Sequence, residues 1–116
     1  MHNEALKEVF KDLHATITKD VNPDTVIDVL LSKKIVSDDD YYDLRHTDGS
    51  RNRCRDLLAL LYRSSHPQTF IHLREALREE YSWIVEKIDE QLPSATAQLQ
   101  QQLYLGHFID GNFLLI

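Results

Sequence analysis

Hydrophobic residues recur along this chain at the spacing of a helix, and the pattern is clearest between residues 51 and 63. That run, RNRCRDLLALLYR, contains no Gly or Pro, and its Leu, Ala and Arg residues favour helix formation. Its apolar positions follow i, i+3, i+4 and i+7, the spacing of one buried helical face: Cys54, Leu57, Leu58 and Leu61. Gly49 allows the chain to turn before the run, and Ser50 is a candidate N-cap. We therefore predict a central helix over 51–63.

The same periodicity predicts five further helices. Their approximate bounds are 3–19, 23–34, 38–45, 67–81 and 82–92. Asn22 is expected to cap the second helix, which has Pro23 in its first turn, and Ser37 is expected to cap the third. Pro93 is expected to end the last helix, because proline lacks the N–H that continues the hydrogen-bond ladder. The counts of 3 Gly and 3 Pro are low and favour long helices over a turn-rich β fold.

The apolar faces of these helices supply the predicted core. Large hydrophobic residues occupy helical spacings in each segment, and Trp83 is assigned to the core with them. The predicted core residues are Leu13, Ile27, Leu30, Leu31, Leu57, Leu58, Leu61, Phe70, Leu73, Leu77, Trp83 and Ile84.

Composition changes after Pro93. Residues 94–102 are polar and rich in Gln, and they are compatible with a helix capped by Ser94. Residues 103–116 are apolar, with Asp110 as their one charged residue. We therefore predict two regions, a helical domain over 1–92 and an extra C-terminal extension over 93–116. The pattern leaves the structure of this extension open, although part of it fits a helix.

Composition and charge narrow the class of protein. The 116 residues are 42% hydrophobic and 28% charged, as expected for one soluble globular domain. The net charge of −6 argues against general binding to nucleic acid or to an anionic membrane. Cys54 is the one cysteine and cannot form an internal disulfide, which favours a reducing compartment. No segment resembles a signal peptide or approaches the ~20 apolar residues of a membrane span, so a cytoplasmic protein is expected.

Charge is segregated along the chain. Residues 20–48 carry eight acids and three bases, a net charge of −5, whereas the predicted central helix carries four Arg and one Asp, a net charge of +3. Asp24 and Asp28 share one side of a helix at the i, i+4 spacing, and so do Arg51 and Arg55. Like charges at this spacing cost an isolated helix a few tenths of a kcal/mol, and an oppositely charged partner would relieve that cost.

Helix capping is an alternative explanation for some of these charges. Aspartates at the start of a helix are favoured by the helix dipole alone, which explains Asp24, Asp38 and Asp40 as well as a binding role does. Arginine at the start of a helix opposes the dipole, so Arg51 and Arg53 are locally unfavourable. The arginines are therefore the stronger indication of a binding surface.

Two stretches of the chain resemble a known family. VIDVLLSKKIVSDDDYYDL and RNRCRDLLALLYRSSHPQTFIHLREALREEYSWIVEKI are similar to the caspase recruitment domain (CARD) family of the death-fold superfamily. The matching features are a helix followed by LLSKKIVSDDD, an Arg-bearing LLxLL helix and the segment PQTFxxLxEALREEY. The resemblance covers about residues 4–92 and departs at SSHP, where many members have a Gly-containing turn.

The resemblance implies an all-α fold, a six-helix antiparallel Greek-key bundle, with no enzymatic activity and no cofactor. It implies an interaction domain of apoptotic or inflammatory signalling. The expected partner is another CARD-containing protein (an initiator caspase, an adaptor or a sensor) or the chain itself as a helical oligomer. In the family, a basic face commonly comes from the first and fourth helices and an acidic face from the second and third.

Two sets of charged residues fit those faces. The predicted basic face consists of Arg51, Arg55, Arg53, Lys7 and Lys11. The predicted acidic face consists of Asp24, Asp28, Asp39, Asp40 and Asp43.

Other functions remain as alternatives. In one alternative, the chain is a CARD-only decoy inhibitor that caps assemblies. In another, it is an unrelated helical regulator that binds a partner through its apolar C-terminal tail. An enzyme is least favoured, since no convergent catalytic set or Gly-rich phosphate loop is present. Six histidines lie on different predicted segments without an HxxxH pair, so no metal site is expected. Cys54 falls on the apolar stripe and is expected to be a buried hydrophobic residue rather than a nucleophile.

Overall fold

The computed structural model describes residues 2–109, and the side chains of residues 2–101. Within this range the chain forms α-helices and no strands. The helices are α1 (Asn3–Asp12), α2 (His14–Asp20), α3 (Asp24–Ser32), α4 (Asp38–Arg45), α5 (Ser50–Tyr62), α6 (Thr69–Leu77) and α7 (Ser82–Ile109). The prediction of an all-α bundle is therefore confirmed, with the first predicted helix divided into α1 and α2.

One hydrophobic core joins these helices. α1 packs against α6 and α7, α3 packs against α4 and α6, and α5 packs against α2 and α4. Phe70 of α6 lies at the centre of an aromatic cluster, with its ring 5.7 Å from that of Phe10 on α1 and 5.9 Å from that of Tyr62 on α5. Aromatic pairs at these distances add to the stability that area burial supplies.

The core contains most of the residues that the periodicity predicts. Those that are buried are Leu13, Ile27, Leu30, Leu57, Leu58, Leu61, Phe70, Leu73, Leu77 and Ile84. Leu31 is half-buried at the edge of α3. The assignment of Trp83 to the core is wrong, because its side chain is 41% exposed. Ile84, Val85 and Ile88 form the buried face of α7 at this point, and Trp83 lies outside that stripe.

The predicted helix over 3–19 is interrupted at Leu13, whose backbone has φ −94° and ψ 8°. The end of a helix leaves its last carbonyl groups without backbone donors. The hydroxyl of Tyr62, on α5, donates to the carbonyl oxygen of Phe10 at 3.4 Å and so satisfies one of them. The break between α1 and α2 is therefore accompanied by a contact from Tyr62 on a distant helix. No local sequence pattern reveals such a contact.

The starts of α3, α4 and α5 follow the predicted capping in part, since Pro23 rather than Asn22 occupies the cap position of α3. Ser37 caps α4, since its hydroxyl oxygen accepts a hydrogen bond from the backbone N–H of Asp40 at 3.1 Å. Asn22 accepts from the N–H of Asp24 at 3.1 Å, where α3 begins. Ser50 is not the N-cap of α5, because it is already the first helical residue and Gly49 occupies the cap position. Gly49 has φ +85°, a conformation that glycine adopts without steric cost.

Pro93 does not end the last helix. α7 runs from Ser82 to Ile109 with Pro93 inside it. Proline removes one backbone hydrogen bond, to the carbonyl of Asp89, and both residues are exposed, so water can satisfy that carbonyl. The predicted division between 92 and 93 thus falls within one continuous helix. Residues 110–116 of the predicted apolar tail lie outside the described residues.

Candidate interaction surfaces

One side of α5 carries exposed arginines next to α1 and α2. Arg51 and Arg55 are exposed and lie one turn apart, and Tyr62 follows Arg55 by two turns on the same side of the helix. The hydroxyl of Tyr62 lies 2.9 Å from Nδ1 of His14, at the start of α2. The Nζ atom of Lys11, at the end of α1, lies 5.9 Å from the centroid of the Tyr62 ring. Because Lys11 lies beside Tyr62, it is on the same side of α5 as Arg51 and Arg55.

We call this surface the basic face: Lys7, Lys11, Arg51 and Arg55. Lys7 shares one side of α1 with Lys11 at the i, i+4 spacing. Lys11 has an exposed ion pair with Glu8 at 3.7 Å, and Arg55 donates to the side-chain oxygen of Asn52 at 3.3 Å. Among the described residues, neither Arg51 nor Arg55 has a carboxylate within ion-pair distance. Both guanidinium groups are thus able to bind an external acid.

Arg53 differs from the other two arginines of α5. Its Nε donates to Oδ1 of Asp24 at 3.0 Å, and its Nη1 donates to the carbonyl oxygen of Thr47 at 3.2 Å. Arg45 also lies 3.4 Å from Asp24. Arg53 and Asp24, which the sequence assigned to opposite faces, are instead partners within one molecule. This network joins the start of α3, the end of α4 and the start of α5.

The acids on α3 and α4 form a second surface, the acidic face, in which Asp40 is half-buried and the others are exposed: Asp28, Asp39, Asp40 and Asp43. Asp28 accepts a hydrogen bond from the hydroxyl of Tyr41 at 2.9 Å, which connects α3 to α4. That hydrogen bond to a carboxylate raises the pKa of Tyr41, because the phenol proton is held between the two groups. Tyr41 is half-buried, whereas its neighbour Tyr42 is exposed.

A cleft of about 170 Å³ lies between α4 and α5, on the opposite side of α5 from Arg51 and Arg55. Its charged lining residues are Asp40, Asp43, Asp56 and Arg63. The hydroxyl of Thr47 lies 3.4 Å from Oδ2 of Asp56 and extends the polar wall. Three carboxylates against one guanidinium make this side of the molecule negative.

An exposed aromatic pair on α4 was not predicted. The rings of Tyr42 and His46 contact each other with centroids 4.0 Å apart and planes tilted by 30°, and Tyr42 is 62% exposed. Nδ1 of His46 lies 2.8 Å from the carbonyl oxygen of Tyr42. One feature of the sequence could have revealed this pair. Tyr42 and His46 are spaced at i, i+4 on the side of α4 opposite to Leu44, which is buried.

The described residues contain neither a metal-binding cluster nor a reactive cysteine. No group of His, Cys, Asp and Glu side chains within them is arranged to hold a metal ion. Cys54 is buried, and burial raises the pKa of its thiol to about 11, which keeps it protonated and unreactive at neutral pH. Within the same part of the chain, no helix has the length and hydrophobicity needed to cross a membrane.

Comparison with known proteins identifies the bundle. The family model of the caspase recruitment domain matches residues 7–91, which extend from α1 into α7. No curated protein and no solved structure matched the chain.

Proposed function

Since this chain belongs to the caspase recruitment domain family, whose members bind other domains of the same fold, we propose that it recruits such domains into apoptotic or inflammatory signalling assemblies. In this proposal the basic face of one domain binds the acidic face of the next. The domain acts as a non-enzymatic scaffold, and its partner is an initiator caspase, an adaptor, a sensor or a second copy.

The position of the two faces relative to α5 carries this proposal. Arg51 and Arg55 lie on the side of α5 next to α1 and α2, whereas α4, with Asp39 and Asp43, packs on the other side. Different surfaces of one molecule therefore have opposite charge. A contact between two different surfaces is heterologous, so it does not close on itself and can propagate as a helical array.

The faces differ from the predicted ones in two residues. Arg53 and Asp24 bind each other, so neither is included in the proposed interfaces. Arg51 and Arg55 carry the basic face, with Lys7 and Lys11 as flanking charges. Asp28, which also accepts from Tyr41, lies at the margin of the acidic face.

The strength of such a contact is limited. An exposed ion pair contributes about 0–1 kcal/mol, and salt screens it. Several pairs with bidentate arginine geometry, repeated along an array, bind more tightly through multivalency. We therefore expect an association that is weak for a single pair of domains and sensitive to ionic strength.

Multi-angle light scattering over a range of concentration and salt tests this proposal. Wild type is compared with Arg55→Glu, and Arg78→Glu serves as the matched control. Arg78 is an exposed arginine that pairs only with Glu75 among the described residues and lies away from α5. Circular dichroism checks that each variant retains its helices.

We expect the wild type to grow beyond a monomer at low salt, Arg55→Glu to lose this growth, and Arg78→Glu to retain it. Association that survives in Arg55→Glu contradicts pairing through the basic face. If the wild type is monomeric throughout, the same variants are tested for binding to other CARDs, and equal binding by wild type and Arg55→Glu contradicts the proposal.

A further inference from the structure

The Tyr42–His46 pair occupies the outermost side of α4. Asp39, Tyr42, Asp43 and His46 follow one another at i, i+3, i+4 and i+7 and are all exposed. The flanks of the helix are occupied, because Tyr41 contacts Asp28 on α3 and Leu44 lies in the core. The two rings, tilted by 30° to each other, thus form a small exposed aromatic platform, and the carboxylates of Asp39 and Asp43 lie on the same side of the helix.

This platform has the chemistry of a guanidinium site. The face of an aromatic ring attracts a cation, and arginine stacks on it more often than lysine does. A neighbouring carboxylate can accept the N–H groups of the same guanidinium. An anion or a nucleic acid phosphate would be repelled by Asp39 and Asp43, and an apolar partner would leave both carboxylates unpaired.

The chain itself supplies a matching group. Arg51 and Arg55 are one turn apart on α5, and Asp39 and Asp43 are one turn apart on α4, so both pairs have a separation of about 5–6 Å between Cβ atoms. Within one molecule the two pairs cannot meet, because α4 and the arginines lie on opposite sides of α5. The arginine pair that binds Asp39 and Asp43 must therefore come from another molecule.

We propose that the Tyr42–His46 platform is the docking point for an arginine from the basic face of a second copy of this chain. Arg51 or Arg55 of the second copy stacks on the Tyr42 ring, while the other arginine binds Asp39 or Asp43. This inference rests on the proposed function and adds to it the identity of the partner and an aromatic residue at the centre of the contact. Tyrosine and arginine are the residue types that commonly dominate the energy of an interface.

Two substitutions at one position test the stacking. Tyr42→Ala removes the ring, and Tyr42→Phe retains the ring without its hydroxyl group. Trp83→Ala is the matched control, because it removes an exposed aromatic residue of α7 that lies away from the platform. Sedimentation velocity at low salt should show self-association weakened about tenfold in Tyr42→Ala and unchanged in Tyr42→Phe and Trp83→Ala.

A mixing experiment tests the occupant. The double variant Arg51→Glu/Arg55→Glu retains the platform but loses the basic face, and we expect it to be monomeric. Tyr42→Ala retains its basic face. Mixed together, the two should form a dimer and no larger species, at concentrations where neither variant alone associates to the same extent, because one intact platform meets one intact basic face.

The outcomes separate this inference from the proposed function. If the arginine double variant loses self-association but Tyr42→Ala associates as strongly as the wild type, the pairing of charged faces is supported and the proposed role of Tyr42 is wrong. If the double variant associates normally, the proposed function fails with it. Either of two results would show that a second copy does not occupy the platform. In the first, the mixture associates no more than its two components do separately; in the second, the wild type stays monomeric at every concentration.

Discussion

Nε of Arg53 lies 3.0 Å from Oδ1 of Asp24, so two residues from the most strongly charged segments of the chain neutralise each other inside one molecule. The Arg53 side chain is only 20% exposed, and it also binds the carbonyl of Thr47. Arg53 thus has a structural role that separates it from Arg51 and Arg55, although all three lie in the first two turns of α5.

We predict that Arg53→Ala lowers the free energy of unfolding by about 1 kcal/mol. The variant loses hydrogen bonds between charged groups and leaves Asp24 with Arg45 alone, and the partial exposure of Asp24 reduces the effect. Urea unfolding measures the change. Arg51→Ala is the control and should alter the stability by less than about 0.5 kcal/mol. Equal losses in the two variants would contradict a special role for Arg53.

We predict that Tyr62→Phe costs about 1 kcal/mol of stability. The hydroxyl donates to the carbonyl of Phe10 and lies 2.9 Å from His14, so its loss removes the connection across the break between α1 and α2. Burial raises the pKa of Tyr62 to about 12, which keeps the hydroxyl protonated and able to donate. Thermal or urea unfolding measures the change, and an unchanged stability would show that the hydroxyl does not support the break.

We predict that Lys34→Gly stabilises the protein by about 0.5–1 kcal/mol. Lys34 has φ +62° just after α3, a left-handed conformation that is costly for residues with a Cβ atom. Glycine relieves that cost but loses more entropy on folding, so the net gain is modest. The control is Lys33→Gly, which should destabilise, because Lys33 has φ −86°. A lower unfolding midpoint for Lys34→Gly would contradict the prediction.

Stability should fall in acid partly through Asp89. Its carboxylate binds the Arg74 guanidinium at 2.9 Å and 2.7 Å, and this hydrogen bonding lowers the pKa of Asp89 in the folded state. A lowered folded pKa means that the pair stabilises the protein above the unfolded pKa of about 4 and that this contribution is lost as the pH falls through the folded value.

Asp89→Asn tests that dependence. The wild type should be more stable than the variant at pH 6, by less than about 1 kcal/mol because Asp89 is 44% exposed, and the difference should shrink as the pH falls below the unfolded pKa of about 4. Unfolding by urea at a series of pH values measures it. A difference that is constant with pH would show that ionisation of Asp89 is not its cause.

The approximate positions of the helices were predictable from the sequence because helical periodicity is a local property, although the described residues form seven helices where six were predicted, owing to the break at Leu13. Leu57, Leu58 and Leu61 lie one to four residues apart, and their spacing alone places them on one face, which the structure buries. The Ser37 cap acts over three residues and was predictable for the same reason. The family resemblance, confirmed by the match over 7–91, depends mainly on these core positions.

Contacts between distant segments were not predictable in this way. Arg53 and Asp24 are 29 residues apart, and Tyr62 and Phe10 are 52 apart, so nothing in the local pattern indicates that they meet. Pro93 lies inside α7 at an exposed position, where water can satisfy the carbonyl that loses its backbone donor, and proline's own preference does not reveal this.

The sequence by itself therefore determined the helices, the core and the segregation of charge, since each depends on residues within a few turns of one another. Only the tertiary structure decided which charges remain available to a partner and that Tyr42, rather than Tyr41, is exposed. The physical reason is that the packing of a helical face follows from its own spacing, whereas the exposure of a charged or aromatic side chain depends on which distant helix packs beside it.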